Sequence, residues 1–218
     1  MKQDPKSVGE DFYASLRHDI IFGQAEAGTK LKPNALKAQY GASISTIREI
    51  LNRLVSEGLV TSEGQRGFFV APMSAQGLRQ IADLRTLLEG HALKLSMEAG
   101  DTEWEAAILA AHHKLHRSEE AMERGDETVR ETWKKYDWEF HQALISACGS
   151  AELLTVHGIV FDKYLRYQMR LLTYRGEIAA REHKQLLDAA LARDPTRAQD
   201  VLRRHIEGGV EHCLTYFG

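Results

Sequence analysis

Residues 40–60 read YGASISTIREILNRLVSEGLV. After the glycine break at Gly41, apolar residues recur at Ile47, Ile50, Leu51, Leu54 and Val55, the spacing of a helix with one buried face. Ser43 is placed to cap this helix and Gly58 to stop it. Ser43, Ser45, Thr46 and Arg48 therefore crowd one helix end: three short hydroxyls and one long cation. Capping alone accounts for Ser43 and leaves Arg48 as a solvent charge. A helix end set against a polyanion accounts for all four.

The flanking sequence favours the second reading. Upstream, Phe12, Leu16, Ile20 and Ile21 mark a helix over residues 10–23, closed by Gly23. A loop over 25–32 follows, and Pro33-Asn34 opens a short helix with Asn34 as its N-cap, ended by Gly41. Downstream, LVTSEGQRGFFVA (residues 59–71) places two short β-favouring pieces around a Glu63–Gly67 turn, a hairpin. Three helices and a hairpin within residues 1–72 predict a winged helix-turn-helix. In such a unit the start of the second helix of the pair faces the DNA major groove. That assigns Ser43, Ile44, Ser45, Thr46 and Arg48 to the groove and its phosphates, and Gln65, Arg66 and Gly67 to a wing tip. Residues 30–70 carry six cations (Lys30, Lys32, Lys37, Arg48, Arg53, Arg66) against three anions (Glu49, Glu57, Glu63), giving +3 within a chain of net charge −3. The basic segment is local, which argues against indiscriminate binding to nucleic acid.

Beyond Pro72 and Ser74 the pattern changes. Residues 75–218 read as about six long amphipathic helices without a strand, an all-α antiparallel bundle, so the fold class is mainly α. Leu78, Ile81, Leu84, Leu87, Leu88, His91 and Leu95 mark the first of these helices, and Asp194-Pro195-Thr196 starts the last, which runs to about Tyr216. No run reaches the roughly 18 apolar residues of a membrane span. The start, MKQDPKSVGED, has no apolar signal core, and Cys148 and Cys213 form no CxxC pair, so a cytoplasmic protein with buried thiols is expected.

Two histidine groupings bear on chemistry. In HHKLH, His112 and His116 are one helical turn apart, but Lys114, Arg117, Glu119 and Glu120 around them read as a solvated face. The second grouping is dispersed. Asp137 and His141 share a face in YDWEFHQAL, and His183 and His205 lie on two later helices among apolar neighbours. One carboxylate and three imidazoles suit Zn²⁺ or a similar divalent ion. Each histidine alone reads better as a hydrogen-bonded core residue; only the set points to a metal.

LRHDIIFGQAEAGTKL, then YGASISTIREILNRLVSEGLV, then GQRGFFVAP resemble the N-terminal signature of the GntR family of bacterial transcription regulators. IADLRTLLEGHALKLS and the helices after it are similar to the C-terminal (FCD-type) domain of the FadR subfamily, and RxxLE, WE, CGS and LARD bring the pattern near its carbon-starvation regulators. Together these cover essentially the whole chain. The resemblance implies a dimeric, ligand-responsive repressor on palindromic operator DNA. Its second part, residues 75–218, would dimerise and hold metal and effector. The family often binds metal through an Asp-x-x-x-His pair and two later histidines, which Asp137, His141, His183 and His205 match in order. Zinc is the expected ion, with nickel or manganese accepted by the same ligands. A small carboxylate effector, on the carbon-starvation pattern a dicarboxylate, would take the open coordination positions, met by Arg85, Arg166 and Arg170. Ile44 stands where many relatives carry arginine, so the operator sequence does not transfer. A small metal-dependent hydrolase is the competing reading, since an open metal site also activates water. It lacks a general base beside the cluster and leaves the first third of the chain unexplained.

Overall fold

The computed structural model describes residues 8–171 and 175–215. They form two compact units: residues 8–78 together with 162–171, and residues 79–161 together with 175–215.

The first unit begins with α1 (Val8–Ile21), then β1 (Lys30–Leu31), α2 (Pro33–Tyr40), α3 (Ile44–Ser56), β2 (Val60–Ser62) and β3 (Phe68–Val70). The anticipated hairpin is present, with Val60 opposite Val70 and Ser62 opposite Phe68. Its turn is a short 3-10 segment, Gly64–Arg66. Part of the segment expected to be loop is instead a third strand. β1 pairs antiparallel with β3, Lys30 opposite Phe69, so β3 is central in a β1-β3-β2 sheet. Two residues carry too little periodicity to announce a strand; the pairing partner defines it. Phe12, Leu16 and Ile20 of α1 and Ile47, Leu51 and Leu54 of α3 are buried, as their spacing requires. Each such side chain contributes roughly 1.5–3 kcal/mol through burial.

The caps divide. Ser43 Oγ accepts from Thr46 N at 3.2 Å at the start of α3, and Gly41 (φ 69°) ends α2 in the left-handed conformation that glycine favours. Asn34, expected to cap α2, lies inside it. The N-cap is Lys32, with no side-chain cap, and Pro33 takes the first helical position, where its missing N–H costs nothing.

Residues 162–171 join this unit through specific bonds: Arg17 pairs with Asp162, Arg166 Nη2 donates to the Ala71 carbonyl at 2.5 Å, and Ser74 N donates to Tyr167 Oη at 3.4 Å. The expected boundary at 72–75 had no means of including them, because these partners lie 93 to 145 residues apart in sequence.

The remaining elements are the six expected helices: α4 (Ala75–Ala99), α5 (Thr102–Glu123), α6 (Arg130–Ile145), α7 (Ala151–Leu171), α8 (Glu177–Leu191) and α9 (Pro195–Leu214). Asp101 and Asp194 cap α5 and α9 by accepting from Trp104 N and Arg197 N, each at 3.0 Å. The expected end of α9 at Tyr216 falls outside the described residues. In the second unit α5 packs on α6 and α8, and α8 on α9. One face departs from expectation. Leu84 and Leu87 of α4 are exposed, whereas Arg85 and Glu89 are buried beside Ala82, Ala92 and Leu93. Arg85 and Glu89 neutralise each other one helical turn apart, Nε to Oε2 2.8 Å, which lets two charges occupy the inner face.

Candidate functional site

Three helices supply the dispersed donors: Asp137 and His141 from α6, His183 from α8, His205 from α9. Their ligand atoms lie within 4.8 Å of one another, and all four residues are buried. Asp137 Oδ1 is 3.2 Å from His183 Nε2 and 4.0 Å from His141 Nε2. The rings of His183 and His205 are 4.7 Å apart at their centroids, those of His141 and His205 5.3 Å.

Each histidine is held from behind by a glutamate through Nδ1. His141 bonds Glu89 Oε1, His183 bonds Glu119 Oε1 at 2.6 Å, and His205 bonds Glu182 Oε2 at 2.9 Å. A glutamate on Nδ1 fixes the tautomer and leaves the Nε2 lone pair free to coordinate. The Nε2 atoms of His141 and His183 are buried without a hydrogen bond; the nearby Asp137 oxygen is out of alignment for one. A buried, unbonded imidazole nitrogen costs free energy unless an ion accepts its lone pair. Two of them converging on a carboxylate fit a divalent metal, with Asp137, His141, His183 and His205 as its holders.

The charges follow from this packing. Burial alone would raise the Asp137 carboxyl, yet Lys134 and the neighbouring histidines hold it well below the usual carboxylate range. Burial likewise opposes ionisation of Glu89, and Arg85 and His141 overcome it. Glu182, with His205 and Arg175 beside it, falls to about 2 against the effect of burial. The histidines differ among themselves. Burial pushes His205 down to about 3 and also lowers His141, while for His183 the carboxylates of Asp137 and Glu119 outweigh burial and raise it to about 9.

Sequence reasoning missed Glu119, Glu182 and Lys134. Glu119 had been read as solvated, yet it is 1% exposed. Its position held the signal: it lies one turn from both Leu115 and Met122, on the buried face of α5. In HHKLH, His112 packs against Phe140 and His116 while His113 and His116 are exposed, and no second set of three donors gathers among the described residues.

The first unit presents a different surface. A cleft of about 740 Å³ lies between α3 and the hairpin. It is lined by the expected Arg48, Gln65, Arg66 and Gly67, and also by Lys30, Lys32, Asn34 and Asn52. Its lining holds four cations and no carboxylate. Ser43, Ser45 and Arg48 are exposed, Ile44 and Thr46 half-buried. Ser43 Oγ lies 2.7 Å from Ser45 Oγ and 2.9 Å from Thr46 Oγ1, a hydroxyl cluster at the helix end.

The three arginines assigned to an effector are divided between the two units. Arg85 is buried in the second unit against Glu89, 4.4 Å from the Phe161 ring centre. Arg166 and Arg170 belong to the first unit, Arg166 committed to the Ala71 carbonyl and Arg170 exposed.

Residues 9–70 match the family model of bacterial regulatory proteins, gntR family, and residues 80–208 match the FCD domain. The chain belongs to the GntR family. It is a transcription regulator, not an enzyme. The regulator is 39% identical over 209 residues to the uncharacterized HTH-type transcriptional regulator BphR of Paraburkholderia xenovorans, covering 94% of this chain and 84% of that protein. It is 35% identical over 202 residues to the HTH-type transcriptional repressor GlaR of Escherichia coli, covering 90% and 91%. Its fold is that of E. coli McbR/YncC (TM-score 0.81, 21% identity, 98% and 100% covered) and of a putative GntR regulator from Rhodococcus sp. RHA1 (TM-score 0.77, 21% identity, the same coverage). Among the described residues no helix of the regulator is long and apolar enough to cross a membrane.

Proposed function

We propose that the regulator is a homodimeric repressor whose grip on palindromic operator DNA is released by a small carboxylate sensed at a metal centre. In this reading residues 1–72 bind DNA in the cytoplasm, and residues 75–218 hold the ion, receive the effector and dimerise. The observation that carries it is the convergence of Asp137, His141, His183 and His205 with two unbonded Nε2 atoms, in a chain that also bears a carboxylate-free basic cleft.

When bound, a divalent ion (zinc, or nickel or manganese) supplies an open coordination position that a carboxylate occupies. The chain's own residues do the rest. Glu89, Glu119 and Glu182 keep the Nε2 atoms aimed inward. Lys134, 3.5 Å from Asp137 Oδ2, holds that carboxylate in its ionised form. Arg85, one carboxylate removed from His141, is the cation that this reading retains beside the centre. In the cleft, Arg48 and the hydroxyl cluster approach phosphates and base edges, and Lys30, Lys32 and Arg66 extend the contact to the backbone.

The effector must favour the DNA-free dimer, so operator DNA must weaken effector binding by the same factor, typically 5–150-fold in such couplings. The test measures affinity for the regulator's own promoter fragment with and without small mono- and dicarboxylates, preselected by thermal shift, in the wild-type protein and in Asp137→Ala. Asp137→Ala is expected to bind DNA and to ignore the carboxylate. A response that survives metal removal places the ligand elsewhere, and loss of DNA binding in Asp137→Ala makes the ion a structural support. Affinity for the fragment that is insensitive to salt would remove the DNA reading itself.

A further inference from the structure

Four carboxylates lie within or behind the donor set, Asp137, Glu89 and Glu119 buried and Glu182 half-buried, and three of them have a cation beside them. Asp137 has Lys134 at 3.5 Å, Glu89 has Arg85 at 2.8 Å, and Glu182 has Arg175 at 3.0 Å. Glu119 is the exception. Its Oε1 takes the bond from His183 Nδ1, its Oε2 is buried without a hydrogen bond, and no lysine or arginine pairs with it among the described residues. His116 Nδ1 lies 4.0 Å from Oε2.

A buried carboxylate with no arginine or lysine is poor design for stability alone. Glu89 and Glu182 have a second duty, because each neutralises a guanidinium that cannot lose its proton. Glu119 has no such duty. Its one hydrogen-bond partner is His183, and what it gives is orientation of that ring plus one negative charge behind it. We propose that Glu119 is a positioning residue dedicated to metal binding, acting through His183, whereas Glu89 and Glu182 serve both the ion and the fold. This assignment rests on the metal reading above and adds the residue on which metal affinity depends without a matching dependence of the fold.

Glu119→Gln tests it, since glutamine keeps the shape and an acceptor for His183 and removes only the charge. Glu89→Gln is the comparator, because it removes the carboxylate charge that pairs with buried Arg85. On the full chain, Zn²⁺ affinity is read by chelator competition, coordination by the visible spectrum of the Co²⁺ form, and the fold by melting in EDTA. Glu119→Gln should weaken Zn²⁺ binding about 10–100-fold, the usual range for a residue behind a ligand, alter the Co²⁺ spectrum and lower the EDTA melting temperature less than Glu89→Gln does, since it gives up only its share of the pairing with protonated His183. Glu89→Gln should lose both affinity and EDTA stability. Should Glu119→Gln fail to fold, Glu119→Asp keeps the charge one methylene further back and is expected to fold, with weaker Zn²⁺ binding. Wild-type affinity in either variant, or an EDTA melting temperature falling as far as in Glu89→Gln, overturns the proposal. A wild-type protein that binds no Zn²⁺, Ni²⁺ or Mn²⁺ overturns the metal reading, and this assignment with it.

Discussion

The two units treat charge in opposite ways. In the cleft of the first unit, Lys30, Lys32, Arg48 and Arg66 face solvent; among the described residues only Arg66 of these pairs with a carboxylate, Glu63 at 2.9 Å, while Lys30 lies over the Phe69 ring. Around the donor set of the second unit most charges are buried and matched, and the buried atoms without a hydrogen bond include the two Nε2 atoms aimed at the centre and Glu119 Oε2 behind it. A surface that leaves cations unpaired is built to meet a large anion in water. An interior that leaves imidazole nitrogens unbonded is built to take an ion out of water. Exposed, like-signed charge and buried, unsatisfied lone pairs are thus two separate signatures of function.

The steepest way to break this contrast is to remove a donor. His183→Ala leaves Asp137 and Glu119 facing each other without the imidazole between them, and stranding a buried charge costs about 3–5 kcal/mol. Metal content and melting temperature should fall together, and stoichiometric metal with wild-type stability would mean that His183 is a core residue only. Acidity probes the same point more gently. In the metal-free protein the folded-state pKa of His183 is raised, to about 9 from 6.5. Its stabilising contribution is therefore complete below pH 6.5 and is lost as pH rises through 9. Urea unfolding in EDTA should show stability falling over that window by an amount on the order of a few kcal/mol. His205 and His141 have lowered values, so their unfolded forms still release protons near pH 6.5 and offset the trend there; above about pH 7.5 both are neutral in either state. A flat profile between about pH 7.5 and 9 would contradict the geometry around His183.

In the cleft the effects should be smaller and confined to DNA. Arg48→Ala is expected to cost about 1–3 kcal/mol of operator binding, or to lower the salt slope by about 1 if the contact is to phosphate, with melting unchanged. Fluorescence anisotropy at two salt concentrations separates these cases, and unchanged affinity removes Arg48 from the interface. The smallest effect sharpens the comparison most. Ser43→Ala should destabilise the first unit by about 1 kcal/mol through loss of the cap, measured by chemical denaturation. Ser43→Asp should keep the cap yet weaken DNA binding, because it places a negative charge among phosphates. Equal DNA affinity for serine and aspartate would reduce the hydroxyl cluster to capping.

Local signals were legible and long-range ones were not. The start of α3 could be read because a cap, a glycine and 3-and-4 spacing all lie within twenty residues. The donor set was legible as residue types, and the ranking of its members came from resemblance, since nothing local distinguishes His183 from an ordinary core histidine. β1 escaped because two residues become a strand only when β3 is beside them. The role of Arg166 escaped because its acceptor, the Ala71 carbonyl, is 95 positions away. Glu119 was hidden by a habit of reading, since a glutamate among lysines and arginines is usually wet and here the helix turns it inward.

The unbonded Nε2 atoms of His141 and His183 also bear on the lifetime of the protein. If an ion completes these lone pairs, its binding stabilises the native state by mass action, and the metal-free chain opens more often. Small losses in stability change protein abundance several-fold through proteolysis of the opened form. On the proposed repressor reading, a cell starved of the metal would then contain fewer copies of the regulator as well as unresponsive ones, and its target genes would be released by turnover, on the timescale of degradation rather than of ligand exchange.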